Sequence, residues 1–129
     1  CAGCACRDGC IWLDDAVEIF LNRPDVTDPK DYAQVIVNVK GVIFDQWRSD
    51  AKWNGQIAVA TKTWPDRWTL EVSIPLKEIN MDPAQSRALR LNVVRDIFGQ
   101  GNLTQINPWF PTVFGHSDLN LRGWVFLMK

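Results

Sequence analysis

Apolar residues recur at every second position along this chain, in short runs that are each cut by a turn signal, and few folds are open to such a pattern. From Tyr32 to Val39, the residues Ala33, Val35, Val37 and Val39 share one face, while Tyr32, Gln34, Ile36 and Asn38 share the other. Upstream, Val17, Ile19 and Leu21 alternate with Ala16, Glu18 and Phe20 in the same way. Lys40-Gly41 predicts a tight reversal into a strand over Val42 to Gln46. Asn54-Gly55 precedes Gln56 to Thr63, and Pro65-Asp66 turns the chain into Trp68 to Ile74. Pro75 ends that strand, Leu76 to Ile79 reads as one helical turn, and Leu89 to Asp96 and Trp124 to Met128 read as further strands. Seven or more short strands with almost no helical periodicity predict an all-β protein, an antiparallel β-sandwich. The stretch from Gly99 to Asn120 alternates little and is expected to be a long loop, ordered by Trp109, Phe110 and Phe114.

At 129 residues, 47% hydrophobic and 22% charged, the chain is expected to form one globular domain with its own core. A net charge of -1 gives no electrostatic case for nucleic acid or an anionic membrane. No apolar run is long enough to span a bilayer. All four cysteines, Cys1, Cys4, Cys6 and Cys10, fall in the first ten residues, so the chain divides into a Cys-rich segment at 1–10 and a sandwich at 11–129. No histidine follows Cys4, which argues against covalently attached haem, and the spacing lacks the two separated knuckles of a zinc site. Disulfides are open to these residues in an oxidising compartment. A leading cysteine is also how a mature bacterial lipoprotein begins. The segment is expected to have no catalytic role.

The run Trp12-Leu-Asp-Asp-Ala-Val-Glu-Ile-Phe-Leu21 carries the most chemistry. A tryptophan on a polar loop at the mouth of a sheet is a flat surface on which a sugar ring can stack, and Glu18 is a charged acceptor just behind it. Seven Trp against six Phe and one Tyr fits a protein that uses indole rings for recognition, although at least four of the seven are expected to pack. Asp14 and Asp15 are adjacent hard oxygen donors, suited to calcium, with a solvated turn as the simpler role. Glu18 and Glu71 are available as a carboxylate pair, but no glycoside-hydrolase signature accompanies them.

Several segments, taken in order, resemble family 9 carbohydrate-binding modules. They are Trp12 to Leu21, then Tyr32-Ala-Gln-Val-Ile-Val-Asn38 with Gly41 and Asp45, Trp68-Thr-Leu-Glu-Val-Ser-Ile-Pro75, Leu91-Asn-Val-Val-Arg-Asp96, and Asn107-Pro-Trp-Phe-Pro with Phe114-Gly115 behind. The resemblance implies a sandwich of the jelly-roll or immunoglobulin-like kind that binds oligo- or polysaccharide without catalysis. It also implies an accessory module of a carbohydrate-active enzyme or surface protein, extracellular or periplasmic, with structural calcium.

In such a module two tryptophans clamp a sugar ring, which the resemblance carries to Trp12 and Trp109. The glutamate that bonds sugar hydroxyls is carried to Glu18, and an asparagine ahead of the second tryptophan to Asn107. The family's reducing-end glucan binders have an arginine where this chain has Ile36. Arg95 is expected either to replace it or to pair with Glu18, and Glu71 and Asn92 are expected in the same polar cluster. The family has several strands before the Trp-x-Asp-Asp motif, whereas eleven residues precede Trp12 here, so a sheet edge is expected to be missing or supplied by another chain. Two rival readings are a structural or docking sandwich of a larger protein and a haem b electron-transfer domain. The second would call on His116, Met81 and Met128.

Overall fold

The computed structural model describes residues 6–99, 102–111 and 122–128, with Trp12 described in its backbone alone. Eight antiparallel strands run through these residues: β1 (Ala16–Asn22), β2 (Ala33–Asn38), β3 (Ile43–Trp47), β4 (Ala58–Thr63), β5 (Trp68–Ser73), β6 (Ala88–Gly99), β7 (Asn102–Pro108) and β8 (Gly123–Phe126). Short 3-10 turns cover Ile11–Leu13 and Leu76–Ile79, the second where one helical turn was expected. Six strands form one sheet in the order β3-β2-β1-β6-β7, with β8 beside the first part of β6. The hairpin β4–β5 forms a second layer. The all-β sandwich expected from the alternation is therefore present.

Strand β7 corrects one expectation. Its seven residues fall in the stretch read as an irregular loop. All but the last are exposed, so neither face has an apolar requirement and no alternation marks the strand. Its pairing with β6 shifts register between Ile97 and Phe98.

Register assigns the faces. Val17 lies opposite Val37 and Arg95, Ile19 opposite Val35 and Val93, and Leu21 opposite Ala33 and Leu91, so these side chains all project to one side. That side packs on the hairpin. Val35, Val37 and Ile43 meet Val59, Leu70 and Val72, and Leu21, Ala33 and Leu89 continue the core over Ile79 and Met81. Each fully buried aliphatic chain of this kind contributes about 1.5–3 kcal/mol. The alternate positions, Ala16, Glu18, Phe20 and Asn22 with their partners, form the other side of the sheet.

The β2–β3 turn is built by Asn38, which is fully buried. Its Oδ1 accepts the Lys40 and Val42 amides at 3.1 and 2.9 Å, and Gly41 adopts φ 75°, a left-handed conformation that glycine takes without strain.

Residues 6–10 are tied to β3. The Asp8 amide donates to the Ile43 carbonyl at 3.0 Å, and the Asp8 carboxylate accepts the Asp45 amide. Arg7 Nη2 reaches both oxygens of the fully buried Asp45 at 2.8 and 2.9 Å. The same guanidinium donates to Asn54 Oδ1 and the Gly55 carbonyl, while the Gly55 amide donates to Asp45 Oδ2 at 2.6 Å. Burial pushes the Asp45 carboxyl above its ordinary range, against the Gly55 amide and Arg7, which pull the other way. Cys6 is engaged in a disulfide.

Candidate functional site

On the side of the sheet away from the hairpin, a line of polar side chains crosses four strands. Gln46 on β3 donates through Nε2 to Gln34 Oε1 on β2. Gln34 Nε2 donates in turn to Glu18 Oε2 on β1 at 2.9 Å. Glu18 is hydrogen-bonded to Asp96 on β6, which is 5% exposed. Each residue stands on the same face because Gln34 is opposite Gln46, Glu18 opposite Ile36 and Val94, and Asp96 opposite Ala16.

Glu18 is held as an acid to an unusually high pH. Its carboxyl is pushed up to about 7, first by burial and then by the hydrogen bond and negative charge of Asp96, with the Gln34 amide opposing. The ladder therefore mixes amide donors, amide acceptors and a carboxyl–carboxylate pair, all half-buried except Asp96. Groups of this kind suit the paired donor and acceptor of vicinal hydroxyls.

An aromatic corner adjoins the ladder. Glu18, Val94 and Pro108 line up across β1, β6 and β7, and Trp109 is the next residue. Two strand spacings of about 4.8 Å separate its backbone from that of Glu18. The Trp109 amide donates to the Val93 carbonyl at 2.8 Å, and its ring, 55% exposed, stands edge-on to Phe110 at 5.0 Å between centroids. The corner is clamped by the buried Asn92, whose Oδ1 accepts the Phe110 amide at 3.0 Å and whose Nδ2 donates to the Phe110 carbonyl at 3.2 Å. Phe110 rests against Gly123 so closely that a Cβ there would stand 2.3 Å from the ring. Gly123→Ala is expected to displace Phe110 and cost about 1–3 kcal/mol, read from urea unfolding followed by tryptophan emission.

Other residues singled out in the sequence are placed differently. Arg95 and Asn107 face each other across β6 and β7 on the hairpin side, with Val17, so neither stands beside Glu18. The Arg95 guanidinium instead lies 6.0 Å from the Trp68 ring, and Asn107 Oδ1 accepts from Gln105. This corrects the pairing of Arg95 with Glu18, whose partners are Gln34 and Asp96. Glu71 is exposed on the hairpin's outer face, outside the cluster that includes Glu18. Ile36 is sealed beneath Ile11 and beside Phe44, so the family's arginine position is apolar floor here. Trp12 follows Ile11 in the turn that feeds β1, and its side chain lies outside the described residues.

Asp14 and Asp15 do turn work. Asp14 pairs with Lys40 at 3.2 Å and accepts the Asp15 amide, and Asp15 accepts the Phe98 amide at 2.6 Å. No group of three or more acidic, histidine or cysteine side chains gathers among the described residues. For the haem alternative, Met81 is a core residue, Met128 is 93% exposed, and His116, like Phe114, lies outside the described residues.

Gln34, Gln46 and Asp96 escaped the sequence reading as site residues. The available signal was their polarity at alternate positions of otherwise apolar strands.

No protein-family model matches this chain, and no curated protein matches it. A solved structure does: a family 9 carbohydrate-binding module from Caldicellulosiruptor kristjanssonii in complex with cellotriose. The TM-score is 0.70 at 19% sequence identity, over 88% of this chain and 57% of that one. The chain thus has the fold of a family 9 module and spans a little over half of that neighbour's length.

Proposed function

We propose that this protein binds neutral saccharide, without catalysis, on the sheet face that carries Glu18. The observation that carries the reading is the ladder Gln46–Gln34–Glu18–Asp96, with the exposed Trp109 one residue beyond Pro108, which lines up with Glu18 across β6. Support comes from the fold shared with a module that was solved with cellotriose. Trp109 supplies one stacking surface, and Trp12, at the entry to β1, supplies the second wall of a clamp. Sugar C–H faces are apolar and weakly positive, so each indole adds about 0.5–1.5 kcal/mol beyond area burial, by analogy with aromatic pairs. Asn107 and Arg95 stand outside this site. The disulfide at Cys6 fits an oxidising, extracytoplasmic setting, and the neighbour's greater length fits a place in a larger protein, as an accessory module.

Titration of intrinsic tryptophan fluorescence with mono- and oligosaccharides, with and without calcium, tests the reading. A saturable shift with a neutral saccharide is expected. A flat response across the panel from folded protein would sink it. Trp109→Ala is expected to weaken binding about tenfold while leaving cooperative unfolding intact, because its ring is more than half exposed. Collapse of cooperativity in that variant would make Trp109 a packing residue instead.

A further inference from the structure

We propose that Asp96 is a positioning residue of this site: it accepts the Glu18 proton in a hydrogen bond, and the pair carrying a single negative charge is the form that receives saccharide. The inference rests on the saccharide reading for its ligand, but the proton between the two carboxyls has its own readout.

The geometry leaves little choice about where that proton goes. Gln34 occupies Glu18 Oε2 from β2. Asp96 faces Glu18 from β6, almost fully buried. Every other position around the pair on this face is uncharged among the described residues: Ile36 and Gln34 on β2, Phe44 and Gln46 on β3, Val94 on β6, Ile106 and Pro108 on β7, and Ile11 in the preceding turn. Among the described residues, the cations on this face are Arg122, which donates to Asn22 and lies over Phe20 and Tyr32, and Arg90, opposite Asn22 and against Trp124. Arg95 is on the hairpin side and Lys40 pairs with Asp14. Among the described residues neither Glu18 nor Asp96 forms an ion pair, so two ionised carboxylates side by side repel in a partly desolvated setting.

With one proton, the pair is locked in line with the amide ladder, and Glu18 presents a fixed carbonyl to the ligand. Without it, the carboxylates separate and the line breaks at its third member. Saccharide bound by the locked form follows the fraction of protein that holds the proton. The loss of that proton is centred at about 7, so affinity is expected to fall about tenfold between pH 6 and pH 8.

The test has two parts. The Glu18 side-chain carboxyl is followed by carbon NMR against pH in the wild type and in Asp96→Asn. A midpoint near 7 is expected in the wild type, and a lower one in the variant, whose amide donates to Glu18 instead of repelling it, while burial still holds the carboxyl above its ordinary range. Saccharide affinity is then measured at pH 6 and pH 8 for wild type, Asp96→Asn and Glu18→Gln. Both variants limit the pair to one negative charge at most, so whatever their absolute affinities, the ratio between the two pH values is expected to change less than twofold. An ordinary Glu18 titration in the wild type, or a variant that keeps the wild-type pH profile, overturns the role of Asp96. A Glu18 midpoint near 7 with no saccharide bound at any pH overturns instead the ligand reading on which the role depends.

Discussion

Arg7→Ala is expected to destabilise this protein as much as a core truncation of modest size, although Arg7 lies in the Cys-rich segment ahead of the first strand. Its guanidinium meets Asp45, which has no exposed surface, and also holds Asn54 and the Gly55 carbonyl. Truncation leaves a buried carboxylate with the Gly55 amide as its chief support. Removing one partner of a fully buried pair costs about 3–5 kcal/mol, and the partial exposure of Arg7 reduces this to about 2 kcal/mol. The loss should grow with pH. Asp45 has a raised carboxyl in the folded state, so its folded form gains by holding a proton, and stability falls as pH rises through that folded value. Without Arg7 the rise is larger and the slope steeper. Urea unfolding at pH 5 and pH 7, with Arg7→Ala, Asp45→Asn and the double variant, measures the coupling. Additive effects would show that the contact contributes nothing.

A second large effect is expected in the pH dependence of stability. The native protein holds the Glu18 proton up to about 7, against 4.5 for the unperturbed group. The stability that comes with this tighter proton binding is fully present below about 4.5, and it is lost as pH rises through about 7. Glu18→Gln carries no such proton but keeps an amide oxygen for Gln34 and an amide N–H for Asp96. The variant is therefore expected to gain on the wild type from pH 5 to about 7, to level off above that, and to exceed it in Tm at the upper end. The slope that remains in the variant belongs to groups such as Asp45. A wild type equally stable at pH 5 and pH 8 would show that burial of Glu18 carries no cost.

The residues made one half of this architecture legible and hid the other. Alternation assigned Val17, Ile19, Leu21, Val35 and Val37 to one face and Glu18, Gln34 and Ile36 to the other, as the structure has them. That much is local, because side chains in a strand change sides at every residue. Which polar residues meet across strands is not local. Glu18 touches Asp96 because β6 pairs with β1 in a register of Ala16 with Asp96, across more than half the length of the chain. Arg95, one position away in sequence, is thereby sent to the opposite side, and the charge complementarity that suggested it as a partner has no geometry behind it. Strand β7 was hidden for another reason. It borrows its order from the edge of β6 and buries almost nothing of its own. The Arg7–Asp45 contact joins residues 38 apart in sequence, and no motif announces it.

The hairpin β4–β5 gives the molecule two lifetimes. An isolated pair of strands is marginal in water, so this layer is held by its apolar contact with the six-stranded sheet. Its outer face, with Ala58, Ala60, Lys62, Thr69, Glu71 and Ser73, is exposed to solvent. Its backbone bonds join neighbours close in sequence and can break together without disturbing the pairing of β1 with β2 and β6. Hydrogen exchange should accordingly divide the amides into a fast-opening pair of strands and a slow sheet. The face that carries Glu18 belongs to the slow part, so its polar line is expected to outlast openings of the hairpin.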